Sequence, residues 1–118
     1  MSAPVNPHDV PSAAQLVEAV REWLERDVAA ATDGRLRFHT RVAVNMLAMV
    51  ERELELGPSQ AVAHGDRLAV LEMADDAALA TAIRAGDLDD RLDEVRALLR
   101  AAVEDKLRVA NPKYLDAI

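Results

Sequence analysis

The chain of 118 residues has no cysteine, so it forms no disulfide and offers no thiol nucleophile or thiolate metal ligand. Aromatic side chains are nearly absent too: Trp23, Phe38 and Tyr114 are the whole set. A core must therefore be built from Leu, Val, Ala and Met, which favours close helix packing over a sheet. Serine occurs only at 2, 12 and 59, and none of the three sits in a nucleophile-elbow pattern. Glycine occurs only at 34, 57, 65 and 86, spaced as punctuation between segments, with no glycine-rich phosphate loop and no other cofactor-binding motif. No apolar run reaches membrane-spanning length. There is no Lys/Arg cluster, and the net charge is −7. That balance lacks the footprint of a nucleic-acid binder and would be repelled by an anionic membrane. The first eleven residues have neither a basic nor an apolar region of a signal peptide, so the cytoplasm is the expected location.

What is present is an apolar share of 51% and a charged share of 30%, the composition of a folded globular chain. The length suits one domain. Residues 1–11 carry Pro4, Pro7 and Pro11 and read as an extended lead, leaving 12–118 as a single helical domain. Ser12 and Gln15 form a capping box, after which Leu16, Val17, Val20, Leu24 and Val28 recur at helical spacing. Gly34 is placed for a left-handed stop to this first helix. The second helix starts near Arg35 and is expected to end at Gly57-Pro58. A weaker helical stretch follows from Pro58 to Ala74, with His64-Gly65 in its middle; it reads equally as one bent helix or two short ones. Asp75-Asp76 caps a short helix ending at Gly86. Leu92, Val95, Leu98, Leu99, Ala102, Val103 and Leu107 then mark a last helix that stops at Asn111-Pro112. With no strand signal, the fold class is all-α, an antiparallel helical bundle of three long helices plus one or two short ones.

The second helix is the most informative segment. Set out at 100° per residue, its apolar residues, including Phe38, Val42, Met46, Met49 and Val50, fill about half of the circumference. A helix face this apolar calls for cover by other helices or by a partner. His39 and Glu53 interrupt it. Arg41, Asn45 and Arg52 align along the border between the apolar and charged sides. Two guanidinium groups flanking an amide suit a carboxylate or phosphate, or the anchoring of a partner; the plainer alternative is pairing with acids elsewhere in the chain. No histidine has the i, i+3 or i+4 partner of a helical metal motif. The acidic run around Asp87, Asp89 and Asp90 fails the calcium-loop pattern, since Leu92 stands where glycine is required. No catalytic, metal or cofactor residue can be nominated.

The runs Phe38-His39-Thr40-Arg41-Val42-Ala43-Val44-Asn45 and Glu51-Arg52-Glu53-Leu54-Glu55-Leu56-Gly57 resemble the core of a bacterial family of small helical proteins of unknown function. Pro7-His8-Asp9, Ile83-Arg84-Ala85-Gly86 and Asn111-Pro112-Lys113-Tyr114 are similar to its flanking landmarks. The resemblance implies a genomic setting beside an aminoglycoside-phosphotransferase-like kinase and an acyl-CoA dehydrogenase. It also implies a role like that of the small accessory subunit of the 4-hydroxyacyl-CoA kinase of levulinate catabolism. The leading expectation is therefore a non-catalytic partner of such a kinase, with Phe38, His39, Arg41, Asn45 and Arg52 as candidate interface residues. An acyl-CoA-binding helical module and a homodimer using the apolar surplus are the alternatives.

Overall fold

The computed structural model describes residues 7, 8 and 10–116; most of the expected lead over 1–11 lies outside them. The described residues are helical with no strand. Helix α1 spans Ala13–Trp23, and its start is the expected capping box: Ser12 Oγ accepts from the Gln15 amide at 3.2 Å while Gln15 Oε1 accepts from the Ser12 amide at 2.8 Å. The helix widens into a π-helical turn over Leu24–Val28, closed by the Ala29 amide on the Leu24 carbonyl at 2.9 Å. Thr32 Oγ1 then donates to the Val28 carbonyl. Gly34 has φ of +54°, the left-handed geometry that glycine adopts without penalty. It opens the next helix rather than closing the first.

Helix α2 spans Gly34–Val70, 37 residues, with Pro58 inside it. The expected stop at Gly57-Pro58 is therefore a helix interior. Proline there supplies no N–H to the carbonyl four residues back, but its fixed φ is helical. Contacts beyond the proline hold the chain in register. Gln60 Nε2 donates to the Asp105 carbonyl at 3.0 Å, Arg67 pairs with Asp105 at 3.3 Å, and His64 bonds Asp76 at 2.7 Å. These tertiary bonds override the local breaker signals of Pro58 and Gly65, and the segment after Pro58 is one helix, not two. The helix ends where no glycine marks it. Glu72 takes φ of +61°, with the Met73 amide on the Leu68 carbonyl and the Glu72 amide on the Ala69 carbonyl, the paired bonds of a Schellman motif.

Helix α3, Asp76–Ala85, is capped by Asp75, whose side chain accepts from the Ala78 amide at 2.8 Å, and it closes on Gly86 at φ +80°. A single 3-10 turn, Asp89–Arg91, leads into α4, Leu92–Ala110. The tail forms the short helix α5, Pro112–Leu115, with Tyr114 exposed.

Two compact units divide the chain after Gly57. The second holds the buried apolar core: Leu68 and Leu71 from the end of α2, Leu79 and Ala82 from α3, Leu88 from the connection, Val95 and Leu98 from α4, with Met73 packed against them. The first unit is a helical hairpin of α1 and the leading part of α2. Arg21 Nε and Nη2 grip the Glu51 carboxylate, and Arg21 Nη1 reaches Glu25 at 3.0 Å. Neither Arg21 nor Glu51 is more than a quarter exposed, and the hydrogen bond to Glu51 raises the Arg21 pKa above its ordinary value. In this unit Thr40 is the one residue classed as buried among the described residues. Its hydroxyl is satisfied by the Leu36 carbonyl at 2.8 Å.

Candidate functional site

Hairpin geometry sorts the residues of α2 by direction. Thr40, Ala43, Val44, Leu47, Ala48 and Glu51 are buried or half-buried and lie within one sector when successive residues are set about 100° apart; this is the side turned to α1. The most hydrophobic sector points elsewhere. Phe38 is 64% exposed and Met46 61%, with Val42, Met49 and Val50 also exposed. The apolar half-circumference visible in the sequence is thus covered only along its edge. On α1, Leu16, Val20 and Trp23 are likewise exposed.

The candidate residues separate into two groups. Phe38 and His39 belong to the open apolar sector, with ring centroids 5.5 Å apart in an edge-to-face arrangement. His39 Nε2 accepts from Arg35 Nε at 3.3 Å. Arg41 and Asn45 instead line a groove of about 440 Å³ whose other walls are Glu25, Ala29, Ala30, Arg37 and Val44. Arg52 is half-buried and does not line the groove. Eleven residues of helix place it roughly 16 Å along the axis from Arg41, so sharing an angle with Arg41 and Asn45 does not bring it to the same site.

Arg37 is the member of the groove that the sequence analysis did not single out. Its signal is simple: Arg37, Arg41 and Asn45 succeed one another at four-residue intervals and so share one face of the helix. Both arginines are exposed, and among the described residues neither makes a side-chain hydrogen bond or ion pair. The carboxylate in the groove, Glu25, is engaged by Arg21. The cross-helix ion pair of the hairpin therefore runs from Arg21 of α1 to Glu51 of α2, leaving Arg37 and Arg41 with positive charge directed at the groove. A site of this shape suits a carboxylate or phosphate oxygen held by planar, bidentate donors.

A second cavity of about 330 Å³ lies in the other unit, lined by Arg67, Val70, Leu71, Glu94, Ala97 and Leu98. Beside it, Arg91 pairs with Glu94 at 2.7 Å, and this hydrogen bond lowers the Glu94 pKa and raises that of Arg91. Among the described residues no group of three or more His, Asp or Glu side chains is arranged to hold a metal ion. No helix among them is long and apolar enough to cross a membrane.

Residues 30–114 match the family model described as a domain of unknown function, DUF6285, and the chain belongs to that family. No curated protein and no solved structure matches it. The match begins in the turn after the π-helical segment and takes in all of α2, α3 and α4.

Proposed function

We propose that this member of a family of unknown function is a non-catalytic interaction subunit working beside an aminoglycoside-phosphotransferase-like kinase that acts on hydroxyacyl-CoA. The observation that carries the reading is the groove of Arg37, Arg41 and Asn45. Two guanidinium groups without a partner among the described residues, on a chain of net charge −7, are suited to receive an acidic group from outside the chain. An acidic side chain of the kinase is the favoured occupant, since charge-assisted pairs at a protein interface fix register and partner choice. The implied partner comes from the resemblance of the α2 sequence to kinase-associated small helical proteins.

The test is co-expression with the neighbouring kinase. Wild-type chain should co-purify with it and raise its activity or its melting temperature. The double charge reversal Arg37→Glu with Arg41→Glu should abolish co-purification while leaving helicity unchanged, because both side chains are exposed. A kinase fully active and stable alone, and unaffected by adding the chain, refutes the role.

The groove volume of about 440 Å³ also lies within the range of small-ligand sites, so a CoA thioester whose phosphates meet Arg37 and Arg41 is the second reading. It expects thermal stabilisation of the isolated chain by acyl-CoA, lost in the same double variant. Absence of any shift at ligand levels well above a micromolar dissociation constant removes it.

A further inference from the structure

The structure assigns a second partner to the first unit: we infer that another copy of this chain covers the open sector of α2 in an antiparallel, two-fold pairing. This goes beyond the kinase reading and uses a different face. Arg35, His39, Val42, Met46, Met49 and Glu53 succeed one another at intervals of four, three, four, three and four residues. That is the spacing of a coiled-coil seam, which keeps one line of side chains facing a partner helix over several turns. All six are exposed, and none belongs to the side of α2 turned to α1.

The charges at the two ends of the seam decide what fits it. Arg35 stands at one end and Glu53 at the other, with an apolar centre between them. A second α2 laid antiparallel about a two-fold axis at the level of Val44 sets Arg35 against Glu53 of the other copy. The same operation sets His39 against Met49 and Val42 against Met46. A parallel pairing would oppose Arg35 with Arg35 and Glu53 with Glu53, which is repulsive at both ends. The surface is thus complementary to itself in one orientation only, as an isologous interface must be.

The apolar centre of the seam is open to solvent. Five large apolar side chains of the open sector, Phe38, Val42, Met46, Met49 and Val50, are between 37% and 64% exposed. At roughly half exposure they present on the order of 450 Å² of apolar surface, an apolar centre around which Arg35 and Glu53 supply the charged rim of an interface.

Sedimentation equilibrium of the full chain alone, without any kinase, tests this. The expected mass is twice 12.8 kDa at micromolar concentrations. Met46→Lys, at an exposed position that does not support the hairpin, should weaken dimerisation at least about hundredfold by placing an unpaired charge in the seam. Arg35→Glu should weaken it as well, and Arg35→Glu combined with Glu53→Arg should restore it. In a chain free of native cysteine, oxidising a mixture of the single variants Arg35→Cys and Glu53→Cys should yield the mixed disulfide. A monomer at about 100 µM, a dimer indifferent to Met46→Lys, or cross-linking only between identical variants would each overturn the inference. Because no kinase is present, these outcomes are independent of whether the kinase reading stands.

Discussion

Replacing Glu72 by glycine should stabilise the chain, although it removes a side chain from the end of a long helix. Glu72 occupies φ +61° in the Schellman turn that closes α2, a position where a Cβ crowds the following carbonyl. That crowding costs about 1–2 kcal/mol for an L-residue. Glycine relieves it but loses about 0.5–1 kcal/mol through its greater freedom in the unfolded chain. Glu72 also attracts Arg91, but that contact is fully solvated and screened. The net expectation is a gain of about 0.5–1 kcal/mol, or roughly 2–6 °C in melting temperature for a chain of this size. Urea titration followed by helical circular dichroism measures it, with the slope checked for constancy. Glu72→Ala is the control, since it removes the charge but keeps the Cβ, and it should bring no gain. A glycine variant less stable than wild type, or an alanine variant equally stabilised, refutes the backbone argument.

Three further outcomes follow from the same structure. Pro58→Ala should stabilise α2 by about 2 kcal/mol, because it supplies the N–H that proline denies the Leu54 carbonyl, less the entropy returned to the unfolded chain; thermal melts read it directly. Leu71→Ala, at the most buried apolar position of the core, 2% exposed, should cost about 2–5 kcal/mol, seen as a lowered urea midpoint. Glu94, held below its ordinary pKa of 4.5 by the Arg91 hydrogen bond, contributes stability that is present above that value and lost as the pH falls through the lowered one. Unfolding measured between pH 6 and 3 should therefore lose part of its acid slope in Glu94→Gln, and an unchanged slope would show that the pair does not matter.

The local signals that proved legible are those in which one residue type performs one backbone task. The Ser12–Gln15 box, the Asp75 cap and the left-handed Gly86 were visible because side-chain oxygen and missing Cβ act within a few residues; Gly34 is left-handed as expected but opens α2 instead of stopping the first helix. The stop expected at Gly57-Pro58 was misplaced for the converse reason. Whether a proline ends a helix depends on what holds the chain beyond it, and Gln60, Arg67 and Asp105 meet only after folding. The true end at Glu72 carries no glycine and so no signal. Of the candidate residues, Arg41 and Asn45 fall on one groove with Arg37, Phe38 and His39 on the open sector, and Arg52 on neither. A helical wheel compares angles and is blind to distance along the axis, which is what set Arg52 apart.

The sequence by itself determined an all-α chain without disulfide or recognisable phosphate loop, its caps, and the half-apolar character of α2, since composition and 3.6-residue periodicity are local properties. Which part of that apolar circumference is covered was decided only by the tertiary structure. Small residues and the Arg21–Glu51 pair draw α1 onto the less hydrophobic side of α2, because close approach and a half-buried bidentate ion pair need partners thirty residues apart. The most hydrophobic sector is left open, and so are Arg37 and Arg41, unpaired among the described residues. Periodicity alone cannot distinguish a stripe that finds its cover within the chain from one that waits for a second molecule.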